Sequence, residues 1–282
     1  MKVVCYATSE NQYLDALRDS CKKFDYDLSV LGLGEKWGGM GDKIVGVKEH
    51  LEDAYDNDLY LVVDAYDVIF TRESKKFEED FYKNYKEDDI VFNSEVLPNS
   101  YVKYNDWVKF YSSEHPNSKN KYKAMNAGVV VGRRTRLIEF YEKLIDRSTI
   151  STQRKQSDQQ TIYRLFNKGI FPDIKLDYEC KLFTVITEFN NDIVFKDNRL
   201  YNKYTKTYPY LIHGAGKKTS LNKYIDFLNL KTSFYKSHIV YNFYYYFFRY
   251  LDYLIFLGAI LISFFFYKGH QLFKTRKQVS LR

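Results

Sequence analysis

Apolar and polar positions follow two periods along the chain, and the two take turns. Residues 3–7, 27–31, 59–70, 89–93 and 126–132 are short apolar or β-branched runs that read as strands. Between them, apolar residues recur at helical spacing: Tyr13, Leu14, Leu17, Cys21 and Phe24; then Ile44, Val47, Leu51 and Ala54; then Leu137, Ile138, Tyr141, Leu144 and Ile145; then Ile162, Leu165 and Phe166. A further helix is predicted over about 74–85. Ser9, with Gln12 three residues on, is expected to cap the first helix, Asp42 the second, and the Ser157/Gln160 pair the last, which Gly169 closes. Strand and helix in alternation predict an α/β domain with a mostly parallel sheet. Residues 101–122 are polar, aromatic and poorly periodic, and read as a loop excursion. Residues 176–212 read as short strands, with Lys196-Asp-Asn-Arg199 as a hairpin turn.

The pattern changes after residue 230. A linker over 231–240 leads into 241–267, where Phe, Tyr, Leu and Ile fill the line and only Arg249 and Asp252 interrupt it. The uncharged part, 253–267, would span ~22 Å as a helix against a hydrocarbon core of ~30 Å, so a crossing must recruit the aromatic stretch before it. This segment is predicted to be a transmembrane or membrane-associated helix, with tyrosines at headgroup depth. Residues 268–282 form a basic tail of five Lys/Arg and no Asp/Glu.

Composition narrows the function class. With 282 residues and 45% hydrophobic content the chain holds a real core. The formal charge of +7 resides mostly in the tail, so the body carries no basic face of the kind that binds nucleic acid. Cys5, Cys21 and Cys180 have neither disulfide-framework nor zinc spacing and read as core residues. The first residues turn polar too soon for a secretory leader, which leads to the expectation of a globular domain in the cytosol, while the basic tail also prefers the cytosol. A single span cannot satisfy both; a helix lying in the interface can.

Chemistry concentrates at strand ends. The run from Leu59 ends on Asp64-Ala-Tyr-Asp67; two carboxylates at the C-terminal edge of a buried strand suit a divalent cation, though a lone pair at this spacing is more often a solvated turn. Gly32-Leu-Gly34-Glu-Lys-Trp37 is a glycine loop with one large aromatic, and Lys43 follows at a helix start, where it either reaches a phosphate or stays in solvent. His213-Gly-Ala-Gly216-Lys217-Lys218 is a doubly basic glycine loop after a strand. Its histidine is a ligand or a satisfied structural residue. Asp158 lies in the first turn of a helix, whose dipole favours its ionised form.

Six pieces occur in one order: Leu31-Gly-Leu-Gly-Glu-Lys-Trp37, Val63-Asp-Ala-Tyr-Asp-Val-Ile69, Asn126-Ala-Gly128, Asp158-Gln159, Leu176-Asp-Tyr-Glu-Cys-Lys-Leu-Phe183 and His213-Gly-Ala-Gly216. Together they resemble the glycosyltransferase domain of the procollagen lysyl hydroxylases and the related collagen glucosyltransferases, including those of giant viruses. The resemblance covers roughly residues 3–228. It implies a GT-A-type nucleotide-sugar fold with a mostly parallel mixed sheet, a UDP-sugar donor, Mn²⁺, and a glycan or collagen-like protein acceptor. It assigns Asp64, Asp67 and His213 to the metal, and Asp158, Asn126 and Gln159 to the reacting sugar. Thr8, Trp37, Lys43, Tyr66, Gly214, Gly216 and Lys217 fall to the nucleotide. Imidazole beside carboxylates suits Mn²⁺, where an all-oxygen site would lean to Mg²⁺. Family members carry Cys-Trp-Pro where this chain has Val96-Leu97-Pro98, Asn where it has Ala215, and a longer acidic run before the Gln. These departures lie on the acceptor side, so a catalytically silent membrane-anchored UDP-sugar or glycan-binding module stands as the alternative.

Overall fold

The apolar run 59–70 is two strands in two different sheets. In a computed structural model of the chain, described for residues 1–96, 120–146, 158–167, 169–187, 192–216, 218–232, 250–251, 258 and 261–264, β3 (Leu59–Asp64) stops at its first aspartate. The bend Ala65-Tyr-Asp67 then carries the chain into β4 (Val68–Phe70). This corrects the expectation of one continuous strand. Val68-Ile-Phe70 is as apolar as Leu59–Val63, so periodicity carries no mark of the change of sheet.

The chain divides into two compact units, Met1–Tyr235 and Lys236–Arg282. In the first, β1 (Lys2–Tyr6), β2 (Asp27–Leu31), β3, β5 (Ile90–Glu95), β6 (Ala124–Arg133) and β7 (Ile174–Leu176) form a six-stranded sheet in the order β2-β1-β3-β6-β5-β7. Only β6 runs against its neighbours β3 and β5; the other pairings are parallel, so the sheet is mixed and mostly parallel. A second sheet, β4-β11-β8, joins β4 to β11 (Leu211–His213) and β8 (Phe183–Val185). The predicted hairpin is present as β9 (Ile193–Lys196) and β10 (Arg199–Asn202), turning on Asp197 and Asn198 at positive φ.

Alternation sorts the large sheet's side chains to two cores. Val3, Cys5, Leu61, Val63 and Val129 pack with Leu14 and Leu17 of α1 (Gln12–Lys23) and with Phe77 and Phe81 of α3 (Phe77–Asn84). Val4, Tyr60, Val62 and Val130 face α2 (Met40–Asp53), α4 (Arg134–Asp146) and α5 (Asp158–Asn167). A third core, including Ile69, Ile212 and Tyr224, lies under α6 (Asn222–Phe227). Two capping expectations are corrected. Asn11 caps α1, its Oδ1 accepting from the amides of Tyr13 (2.9 Å) and Leu14 (3.0 Å), because Ser9 lies two residues too early. Gly39 takes the N-cap position of α2, and Asp42 sits in the first turn with its carboxylate accepting from Gly38 N. Ser157 and most of 101–122 lie outside the described residues.

Asp177 holds the β7–β8 connection. Its buried carboxylate accepts from the amides of Lys181 (3.0 Å), Leu182 (2.7 Å) and Phe183 (2.9 Å) and from Tyr85 OH (2.9 Å), while burial pushes its pKa up against those bonds. Asp177→Ala leaves these donors unpaired in the core and is expected to cost roughly 3 kcal/mol or more. Urea unfolding reads this directly; a loss under about 1 kcal/mol would contradict the anchoring role.

Among the described residues no helix is long and apolar enough to cross a membrane. Within 241–267 only 250, 251, 258 and 261–264 are described, all helical, so the expected membrane helix lies mostly outside the described residues.

Candidate metal and sugar-nucleotide site

The bend between the two sheets assembles the site. Asp64 ends β3, Asp67 precedes β4, and β4 pairs antiparallel with β11 so that Val68 stands opposite His213. The amide of Gly214 donates to Asp67 O at 2.7 Å and ties the glycine loop to the same bend. His213 Nε2 is consequently 3.5 Å from Asp67 Oδ1 and 3.7 Å from Asp64 Oδ2. One ligand atom from each of the three residues falls within 4.8 Å of the others.

Three observations fit this cluster to a divalent cation. Asp67 Oδ1 is buried and accepts no hydrogen bond. The donor set is one imidazole and two carboxylates, which suits Mn²⁺ better than Mg²⁺. Finally, Gly128 of β6 lies directly over it: a Cβ there would come within 2.1 Å of His213 Cε1 and 2.7 Å of Asp64 Oδ2. The small-residue corner Asn126-Ala-Gly128 is thus what keeps the space open.

Lys43 reaches into the cluster from the first turns of α2, rather than out to solvent. It pairs with Asp64 and stands 3.7 Å from Asp158 Oδ2, linking the strand end to the start of α5. Burial disfavours the Lys43 charge, but the two carboxylates outweigh it and hold its pKa above the ordinary lysine range. Burial raises the pKa of Asp64 and is only partly countered by Lys43. Burial pushes Asp67 the same way, but His213 and the lysines prevail and hold it below the usual carboxylate range. For His213, burial opposes the charged ring, and Asp67 and Asp64 overcome that and raise its pKa.

Asn126 and Gln159 are brought to the same edge. Asn126 Oδ1 accepts from Gly128 N at 2.9 Å. The Gln159 amide brackets the β6 backbone, accepting from Ala127 N and donating to Met125 O (2.6 Å). Gln159 therefore holds α5, and Asp158 with it, against the strand that carries Asn126. Thr8, Trp37 and Tyr66 lie around the end of the first strand. Gly34 N donates to Thr8 O at 3.2 Å, and Trp37, 46% exposed, stands over Tyr6 with ring centroids 6.3 Å apart. Tyr66 OH donates to Ser9 O at 2.9 Å, with Lys218 Nζ 4.6 Å above its ring. Gly216 takes φ +76°, and Lys217 lies outside the described residues.

Two residues escaped the sequence reading. Asn93 and Glu95, on one face of β5, both lie beside His213: Asn93 Nδ2 is 3.1 Å from its Nδ1, and the Glu95 carboxylate bonds the Asn126 side chain. The available signal was two polar residues two apart at the end of a buried strand. Burial pushes Glu95 up to about 7, from an ordinary 4.5. Its folded pKa exceeds its unfolded one, so the native state keeps a proton the unfolded state gives up. The corresponding stability is complete below pH 4.5 and lost as pH rises through 7, by up to about 3 kcal/mol. Glu95→Gln is expected to flatten the fall in Tm between pH 4.5 and 7.5 in chelator-treated protein; parallel Tm profiles for the two proteins would contradict this.

Comparison with known proteins gives one consistent result. A family model described as the PLOD GT domain matches residues 1–237. Protein R699 of Acanthamoeba polyphaga mimivirus, itself uncharacterized, is 28% identical over 220 residues, covering 73% of this chain and 44% of that protein. The multifunctional procollagen lysine hydroxylase and glycosyltransferase of Caenorhabditis elegans is 26% identical over 244 residues, covering 79% and 31%. The chain spans less than half the length of these curated relatives. Among solved structures, the galactosyltransferase LgtC with donor and acceptor sugar analogues aligns with a TM-score of 0.49 at 15% identity, over 84% of this chain and 98% of that one. With a family model matched along all of its first unit, and giant-virus and procollagen hydroxylase relatives collinear with it, the chain belongs to the PLOD GT domain family.

Proposed function

We propose that the chain is a GT-A-type, Mn²⁺-dependent glycosyltransferase that moves a hexose, glucose by preference, from a UDP-sugar to a hydroxyl of a glycan or collagen-like protein. The observation that supports this most is the convergence of Asp64, Asp67 and His213 beneath Gly128, with Lys43 and Asp158 alongside. Asp64, Asp67 and His213 would hold the Mn²⁺, which would supply positive charge to the leaving diphosphate.

The chain's own groups supply the rest. Lys43 places its positive charge beside both Asp64 and Asp158. Asp158, fixed at the start of α5 by Gln159's grip on β6, offers a carboxylate either to balance positive charge developing on the sugar or to take the acceptor's proton. Asn126 orients sugar hydroxyls from the open corner. Thr8, Trp37 and Tyr66 take the nucleoside, while Gly214, Gly216 and Lys217 bring backbone and charge to the phosphates. Membrane attachment through 241–267, with the catalytic unit on the cytosolic side, belongs to the same proposal. Alkaline extraction and protease accessibility of membranes carrying the full chain test it.

Donor choice is tested by UDP release from UDP-glucose, UDP-galactose and their N-acetyl forms with Mn²⁺. Release is expected to be fastest with UDP-glucose. Tight UDP binding without release from any donor would overturn transfer and support the binding-module alternative.

A further inference from the structure

The near balance of charge in the body hides an uneven spread. Residues 1–192 carry 28 Lys/Arg against 33 Asp/Glu, whereas residues 193–232, which form the β9–β10 hairpin, β11 and α6, carry eight against two. Several surface cations of the first part are neutralised by carboxylates, as in Arg18–Glu10, Lys48–Glu52 and Arg136–Asp173. In the second part, Lys196 lies over Tyr201 (4.8 Å), Arg199 over Tyr208 (4.3 Å) and Lys223 over Tyr224 (4.7 Å), and among the described residues none of these three cations is ion-paired. Their charge stays available to an anionic partner.

The same surface exposes apolar rings. Phe195, just before the hairpin turn, and Phe227, at the end of α6, are 46% and 38% exposed and stack on each other with centroids 3.9 Å apart. Phe195 also packs on Tyr224, at 5.8 Å, which ties the hairpin to α6. Lys223 stands four residues before Phe227, one turn away on the same side of the helix. Lys196 follows Phe195 and lies opposite Arg199 in register, so both cations bracket the hairpin tip. Exposed phenylalanines among unpaired cations match a lipid headgroup layer, where rings enter the acyl boundary and Lys and Arg heads remain with phosphate. A nucleic-acid strand is met by rings free to stack on bases, whereas these two are stacked on each other. The chain also runs from this surface, fourteen residues after Phe227, into the Phe/Tyr/Leu/Ile stretch 241–267.

We propose that the hairpin tip and α6 form a membrane-facing surface: Phe195 and Phe227 insert among anionic phospholipids, and Lys196, Arg199 and Lys223 engage their phosphates. This goes beyond attachment through 241–267. That segment tethers the chain, whereas this surface fixes which side of the catalytic unit lies on the bilayer.

The test places a nitroxide on the full chain at Phe195→Cys or Phe227→Cys, with Tyr55→Cys, in the exposed acidic loop before β3, as the reference. Native Cys5, Cys21 and Cys180 are buried and leave the introduced thiol to react. Collisions with oxygen and with a water-soluble nickel chelate are read by electron paramagnetic resonance, before and after addition of vesicles of equimolar phosphatidylcholine and phosphatidylserine. On the vesicles, labels at 195 and 227 are expected to lose most of their nickel collisions and gain oxygen collisions, while the label at 55 is unchanged. The combined substitution Lys196→Glu, Arg199→Glu, Lys223→Glu should cancel that change. A chain that sediments with the vesicles while labels at 195 and 227 stay as open to nickel as before overturns this proposal and leaves the tether standing; no sedimentation overturns both. Equal changes at all three positions also overturn it. So does spin–spin broadening between chains without lipid, which assigns the surface to a second copy, or nickel protection by a single-stranded oligonucleotide in place of vesicles. Should one labelled variant fail to fold, the other decides.

Discussion

Asp67→Ala is expected to slow UDP release from UDP-glucose by about 10³-fold while leaving the melting temperature within a few degrees of wild type. The expected loss is large because a metal ligand acts on the leaving diphosphate, where charge develops, and about 4 kcal/mol of such stabilisation is a factor of 10³. The fold should tolerate the change because the Asp67 contact that ties the bend to the glycine loop is made by its backbone carbonyl, which accepts from Gly214 and survives the substitution. Its Oδ1 forms no hydrogen bond that the fold would miss. Release within tenfold of wild type would remove Asp67 from the metal site.

The second large effect is expected from one methyl group. Gly128→Ala places a Cβ 2.1 Å from His213 Cε1 and 2.7 Å from both His213 Nε2 and Asp64 Oδ2, all far inside contact distance. Flexible side chains yield to such intrusions, but this ring is held: His213 is paired in register with Val68 on one side and Val185 on the other, and Asn93 holds its Nδ1. The substitution should therefore lower Mn²⁺ affinity by about 100-fold or more. Its cost in stability is that of an overpacked core site, roughly 1–3 kcal/mol. Mn²⁺ titration alongside urea unfolding separates the two effects. An alanine variant that binds Mn²⁺ within fivefold of wild type would show that the space under Gly128 is not the ion's.

How much of this was legible in sequence depended on whether the signal was local. Strands such as β1 and helices such as α4 were readable because burial on one or two faces writes directly into apolar periodicity. The Asp197-Asn198 turn was readable for a similar local reason. The division of 59–70 between two sheets was not, because both halves are fully buried and their apolar patterns match. Choices among nearby caps, Asn11 against Ser9 and Gly39 against Asp42, turned on two or three residues of helix phase that propensity does not resolve.

The site shows the same division. Asp64, Asp67 and His213 came from collinear motifs and meet in space through the β4–β11 pairing. Lys43 was placed at the correct helix start, but its pairing with Asp64 and Asp158 was not legible, because that meeting is set by how α2 and α5 pack on one sheet face. Asn93 and Glu95 were passed over because β5 read as an ordinary buried strand, and a polar residue at such a strand's end gains meaning only when its partner, 120 residues further on for Asn93, is known.

The most direct measurement of the metal-site assignment is the number of Mn²⁺ ions bound per full-length chain in the presence of UDP, by equilibrium dialysis, for wild type and for the combined variant Asp64→Asn, Asp67→Asn, His213→Ala. One ion per wild-type chain and none in the variant is the expected result; an equal number in both would contradict it.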